Sequence, residues 1–221
     1  MGILADFRND LASGDTVARL RGGLIGNGAR FDAGCGPQSL LYADYVASGR
    51  ALRQVEEFVT ENVLPWYANS HTEASHCGGT MTRLREEARG AIAGLVGAAA
   101  DCHVVFTGSG ATNGINRIVR LLEVERRVAG GDRVVVLSGP YEHHSNILPW
   151  RESGARVVEI AEAECGGVDL ASLDEALEEA SGADLIIGSF SAASNVTGIV
   201  TDVDTVTRRL KTAGALAIWD Y

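Results

Sequence analysis

The sequence predicts an α/β fold with three layers, α/β/α, around a mainly parallel sheet. Three observations carry that prediction. Apolar runs of strand length, such as residues 133–137 (RVVVL) and 184–189 (DLIIGS), are nearly uninterrupted, as in strands covered on both faces. Amphipathic stretches of helical period alternate with them. Glycine-rich or polar turns separate the two kinds of segment, with no internal repeat and no low-complexity linker.

Residues 1–30 read as a lead-in segment: a short helix around residues 11–20, then the turn-rich GGLIGNGAR. Residues 31–221 read as one large domain. Gly34, Gly36 and Pro37 mark a turn, and residues 40–42 suggest a short strand. Residues 51–63 form an amphipathic helix with Leu52, Val55, Phe58 and Val59 on one face, stopped by Pro65. Residues 66–79 (WYANSHTEASHCGG) make a polar, histidine-bearing loop of the kind that carries function. Its His71, His76 and Cys77 lack the spacing of a metal centre, and no metal site is expected. A helix over 81–96 follows, opened by Thr80 or Thr82 and ended by Gly97.

The chain is organised around residues 104–116, VVFTGSGATNGIN. Val104, Val105 and Phe106 read as a buried strand that ends in glycine, and Ile115, Ile118, Val119 and Leu122 recur at helical spacing. Strand, glycine-rich turn and helix in that order leave free N–H groups at the positive end of a helix dipole. Gly110 lets the backbone take a positive φ there, and Ser109 and Thr112 add hydroxyl donors. The expected result is a cup for a phosphate group. Beyond it, strands are expected at 133–137, 156–160, 184–189 and 215–219, with helices at 145–152, 172–180 and 203–213, the last opened by Thr201 or Asp202.

Composition narrows the partners. The formal net charge is −10 with no basic block, which argues against nucleic acid or an anionic membrane surface. No apolar run approaches bilayer length, and the N-terminus has early acids, no secretory apolar region and no myristoylation serine. Four scattered cysteines without a CxxC read as free thiols, so the expected compartment is the cytoplasm. Lysine occurs once, as Lys211, among 19 basic residues.

In such sheets ligands sit at the carboxyl ends of the strands. Polar residues gather there: 139–146 (GPYEHHSN), 190–198 (FSAASNVTG) and Asp220-Tyr221. A phosphate cup, an imidazole pair, an amide and a carboxylate on successive strand ends suit pyridoxal phosphate (PLP). That cofactor needs an anion cup, a flat group stacked on its ring, a donor to its phenolic oxygen and a carboxylate at its pyridine nitrogen.

The motifs YADYVASGR (42–50), YANSHT (67–72), TGSGATNGIN (107–116), GPYEHHSNILPW (139–150), FSAASNVTGIV (190–200) and AIWDY (217–221) resemble the class V aminotransferase and cysteine desulfurase family, of fold type I among PLP enzymes. The resemblance covers about residues 31–221. It implies a PLP-dependent transferase-like large domain and an enzyme acting on an amino acid or amine, commonly as a homodimer. By the resemblance, Gly110, Ala111 and Thr112 bind phosphate, His143 stacks on the pyridine ring, and Asn195 meets the phenolic oxygen. Asp220 meets the pyridine nitrogen, and Asn69 and His71 lie on the substrate side. His144 and Asn146 order their loop.

The family's Schiff-base lysine follows the strand that ends in this aspartate, and Lys211 precedes that strand. The chain is therefore expected to be a truncated large domain, without the small domain and inactive alone. The competing readings are a non-catalytic PLP-fold binding protein and an NAD(P)-dependent oxidoreductase. The second rests on a loose glycine echo at Thr107, Gly108 and Gly114, without a Tyr-x-x-x-Lys.

Overall fold

The computed structural model describes residues 2–221. It divides into two compact units, 1–105 and 106–221.

The first unit is mostly helical. Two helices, α1 (Ile3–Leu11) and α2 (Thr16–Gly23), replace the single helix expected around 11–20. They part at Gly14, whose φ is +72°, and Asp15 caps the second. A small antiparallel hairpin joins β1 (Arg30–Asp32) to β2 (Pro37–Ser39). The strand expected at 40–42 is therefore displaced: the strand ends at Ser39, the Leu40 N–H donates to the Ala29 carbonyl at 2.7 Å, and Leu41 is exposed. The helix expected over 51–63 is α-helical only in α3 (Arg53–Phe58). It widens into a π turn at Val59–Val63 and tightens into a 3-10 turn at Leu64–Trp66. Pro65 has no N–H to continue the α ladder, so the change of pitch falls where the sequence predicts a stop.

Helix α4 (His76–Leu95) begins five residues before the expected start. Ser75 caps it, accepting from the Gly78 N–H at 3.0 Å. Thr80 and Thr82, the expected caps, lie inside the helix and donate to the carbonyls of His76 and Gly78. Gly97, at φ +64°, follows its last turn as expected.

The predicted strand at Val104–Phe106 does not form. The run joins no sheet, and Val105 and Phe106 are 59% and 50% exposed. An apolar run becomes a strand only where an edge is available to pair with it.

The second unit carries the sheet. Its elements are α5 (Gly110–Leu121), α6 (Val124–Ala129), β3 (Val134–Ser138), α7 (Leu148–Glu152), β4 (Arg156–Glu159), α8 (Leu170–Glu179), β5 (Leu185–Ser191), α9 (Val203–Thr212) and β6 (Leu216–Asp220). The helix expected at 145–152 is divided into a 3-10 turn at His144–Asn146 and α7, with Pro149 in the first turn of α7. The four strands run parallel in the order β4-β3-β5-β6.

Two apolar layers cover this sheet. Leu173 and Leu177 of α8 and Val206 and Leu210 of α9 pack on one face, with Val135, Leu137 and Phe190. Ile115 and Val119 of α5, Val124 and Trp150 pack on the other, with Val134, Val136 and Ile187. The second unit is thus the expected three-layer α/β/α sandwich with a parallel sheet. Asp169 caps α8 and Asp202 caps α9.

Candidate active site

Strand alternation decides which side chains meet. Successive residues of a strand point to opposite faces, so Val134, Val136 and Ser138 share a face of β3. Leu185, Ile187, Ser189 and Ser191 share the matching face of β5, and Leu216, Ile218 and Asp220 that of β6. This is the α5 face, since Val134, Val136, Ile187 and Ile218 belong to the apolar layer with Ile115 and Val119. On each of the three strands that face turns from apolar to polar at the carboxyl end. The result is a polar rim beside the 3-10 turn at His144–Asn146, which packs against both α5 and β5.

A buried network holds that rim. One Glu142 oxygen accepts from the Ser191 N–H at 2.8 Å, and the other accepts from the Ser191 hydroxyl at 2.7 Å and the Asn146 amide at 2.6 Å. The Asn146 Oδ1 accepts from Ser189 Oγ at 2.6 Å and Trp150 Nε1 at 3.3 Å. Asn146 and Trp150 are fully buried. Every donor in this set is matched by an acceptor, which is the condition for burying it. Glu142 was not among the expected site residues, and it ties the loop before the 3-10 turn to the end of β5.

The network leaves His143, Ser145 and Asp220 together. His143 Nδ1 lies 2.8 Å from the Ser145 hydroxyl and accepts from the Ser145 N–H at 3.2 Å. Asp220 ends β6 on the same face, and the His143 imidazole and the Ser145 hydroxyl both favour its ionised form. Its pKa is raised above the ordinary value because the carboxyl is desolvated, with His143 and the Ser145 hydrogen bond opposing that rise.

The other expected residues are placed as follows. Gly110, at φ +70°, opens α5, with Ala111 and Thr112 exposed in its first turn. No side chain caps this helix, and no acid lies in its first turn, so its leading N–H groups are open to an outside anion. Asn195 is exposed on a turn held by the Ser194 hydroxyl, which accepts from Val196 and Thr197 N–H groups at 3.2 and 3.1 Å. Asn69 and His71 lie in the first unit, both exposed. His71 adopts φ +91°, uncommon for a residue with a side chain, and its N–H donates to Thr82 Oγ1 at 3.3 Å. Lys211 is exposed on α9, which packs on the Trp219 face of β6, one residue out of phase with Asp220.

Residues 41–221 match the family described as Aminotransferase class-V. The chain belongs to the class V aminotransferase family. Among curated members of that family it is 29% identical over 188 residues to a probable cysteine desulfurase of Streptomyces coelicolor, covering 82% of this chain and 43% of that protein. It is 31% identical over 195 residues to probable cysteine desulfurase 2 of Mycobacterium leprae, covering 84% of this chain and 44% of that protein. The apo structure of a cysteine desulfurase from Thermococcus onnurineus superposes with a TM-score of 0.68 at 25% identity, over 82% of this chain and 44% of its own. The chain thus spans less than half the length of these class V relatives. Among the described residues no helix is long and apolar enough to cross a membrane.

Proposed function

We propose that this chain supplies the PLP-holding face of an enzyme that acts on an amino acid or amine. One observation carries the reading. The polar strand tips share the face of α5, and there a desolvated carboxyl, Asp220, stands beside an imidazole, His143. The donor set suits the cofactor: an uncapped helix N-terminus for the phosphate, a flat ring at His143, an exposed amide at Asn195 and an acid at Asp220.

Bound PLP supplies an electron sink for bonds at the substrate α-carbon. The chain's own residues do the rest. The first turn of α5, from Gly110 to Thr112, binds the phosphate through N–H groups. His143 covers one face of the ring and keeps water from it. Asp220 holds a proton at the pyridine nitrogen, and Glu142 fixes the loop that aims both. Asn69 and His71 belong to the substrate side. A homodimer and a cytoplasmic setting complete the proposal, with no nucleic-acid or membrane partner. The cysteine desulfurase relatives favour an amino-acid substrate.

Within these residues the cofactor is held without a covalent link, because Lys211 lies on the covering helix of the opposite face. That placement also favours the second reading, binding without turnover. Titrating the chain with PLP, followed by equilibrium dialysis and the ring absorbance, tests both. Saturable uptake is expected, and His143→Ala should lower affinity by about 1–2 kcal/mol, roughly tenfold. Borohydride should fix no cofactor to the chain. Absence of uptake at millimolar PLP overturns the proposal, and cofactor reduced onto Lys211 overturns the non-covalent mode.

A further inference from the structure

The motif at 42–50 carries a cation that the cofactor reading does not use. The half-buried Arg50 guanidinium lies over the Tyr42 ring, 4.9 Å from its centroid. That ring is itself fixed: its hydroxyl donates to the Ser48 carbonyl at 2.5 Å, and Tyr45 meets it edge-on at 5.1 Å. Arg50 Nη2 donates to the Ile25 carbonyl at 2.7 Å. The carbonyl belongs to a segment bridged to the chain just past Arg50. Leu24 pairs with Leu52 there, and the Ile25 N–H donates to the Ala51 carbonyl at 3.0 Å. At Gly26, whose φ is +81°, a Cβ would stand 2.0 Å from Nη2, so glycine leaves the guanidinium its place.

The held cation has donors to spare. A guanidinium has two edges of paired N–H donors, and both edges share Nη2. Ile25 takes one Nη2 hydrogen, which uses one edge and leaves the other whole. Among the described residues Arg50 forms no ion pair and no second hydrogen bond. It lines a cavity of about 110 Å³, where Leu24 and Leu40 give an apolar wall and Asn27 and Tyr45 add neutral polar groups. No Asp or Glu lines this cavity.

We propose that this cavity binds a small organic monocarboxylate, whose two oxygens accept in parallel from the open edge of Arg50. One positive charge in the lining matches one negative charge on the ligand, and the planar fork matches the planar carboxylate. A phosphate dianion would find no second cation there. The apolar wall takes a short carbon chain. A carboxylate could come from a free acid or from the end of a peptide, and the small volume selects the free acid. Every residue used lies between Leu24 and Leu52 in the first unit, so the proposal stands apart from the cofactor reading.

Titrating the full chain with sodium propionate at constant ionic strength tests it, with chloride as the balancing anion. The Arg50 Nε–H resonance, assigned through its loss in Arg50→Lys, and the Asn27 backbone N–H report binding. Both should shift saturably with propionate, and inorganic phosphate and N-acetylalanine, a mimic of a peptide end, should bind more weakly. Arg50→Lys keeps the charge and removes the paired edge, so affinity read at Asn27 should fall about tenfold. Gly26→Ala crowds Nη2 without altering charge and should weaken binding in the same direction, with folding of both variants checked by circular dichroism. A shift that never saturates, or one that chloride alone produces, overturns the proposal. Tighter binding of phosphate or N-acetylalanine overturns the choice of ligand, and full affinity in either folded variant overturns the role of Arg50. Failure of PLP uptake would sink the cofactor reading and leave these titrations unchanged.

Discussion

Asn146→Asp replaces an amide with a carboxyl of nearly the same shape at the centre of the buried network. The Asn146 amide nitrogen lies 2.6 Å from a Glu142 oxygen, so the variant sets two carboxyl oxygens at that separation. Two carboxylates so close would repel by about 6 kcal/mol even at an effective dielectric of about 20. The folded variant escapes by keeping one proton on the pair, which then donates where the amide did. Holding a carboxyl protonated at pH 7 against an ordinary value near 3.9 costs about 4 kcal/mol. The folded state then binds one proton more than the unfolded state, so stability falls by about 1.4 kcal/mol per pH unit as pH rises. Urea denaturation at pH 5, 6 and 7, followed by the fluorescence of buried Trp150, measures this. A loss of about 4 kcal/mol at pH 7 that shrinks to about 1.5 at pH 5 is expected. A pH-independent loss would refute the network, because it would mean that position 146 does not face Glu142.

Two further outcomes follow from the same geometry. Folded Asp220 keeps its proton to higher pH than the unfolded chain does, so its contribution is full below the unfolded pKa and drains away as pH rises through the folded one. Asp220→Asn should flatten the stability profile across that window, and an unaltered slope in denaturation midpoints would dismiss the desolvation account. Gly110→Ala places a side chain at φ +70° in open space, so only backbone strain opposes it. A loss of about 1 kcal/mol in thermal unfolding is expected, and a higher Tm would show that the turn does not need its left-handed residue.

The parallel strands were legible because burial on both faces leaves its mark in the residues themselves. The runs at 133–137 and 184–189 lie within or beside β3 and β5 with shifts of one or two residues. Val104–Phe106 shows the same pattern and forms no strand, since a run of residues carries no information about whether a sheet edge stands next to it. Helix α4 was misjudged at its start because Gly78 and Gly79, poor helix formers, lie in its first turn, while Ser75 already supplies the cap. At the candidate site, His143 and Asp220 were named from motif alone. Glu142 and Ser189 were missed because the partners they hold, Ser191 and Asn146, stand 49 and 43 residues away along the chain. One signal was present: every second residue of β5 and β6 changes from oily to polar on the same side.

The pairing of Ser191 with Asp220 has a consequence for folding. The offset that seats Ile218 under α5 also brings Asp220 to the polar rim beside Ser191. Sliding β6 by a single residue would swing Trp219 out among the strand tips and tuck the acid beneath α9. The hydrophobic effect thus proofreads the chemistry: a molecule whose oily layers are in order has its acid in place, and one whose acid is misaimed has already failed to fold.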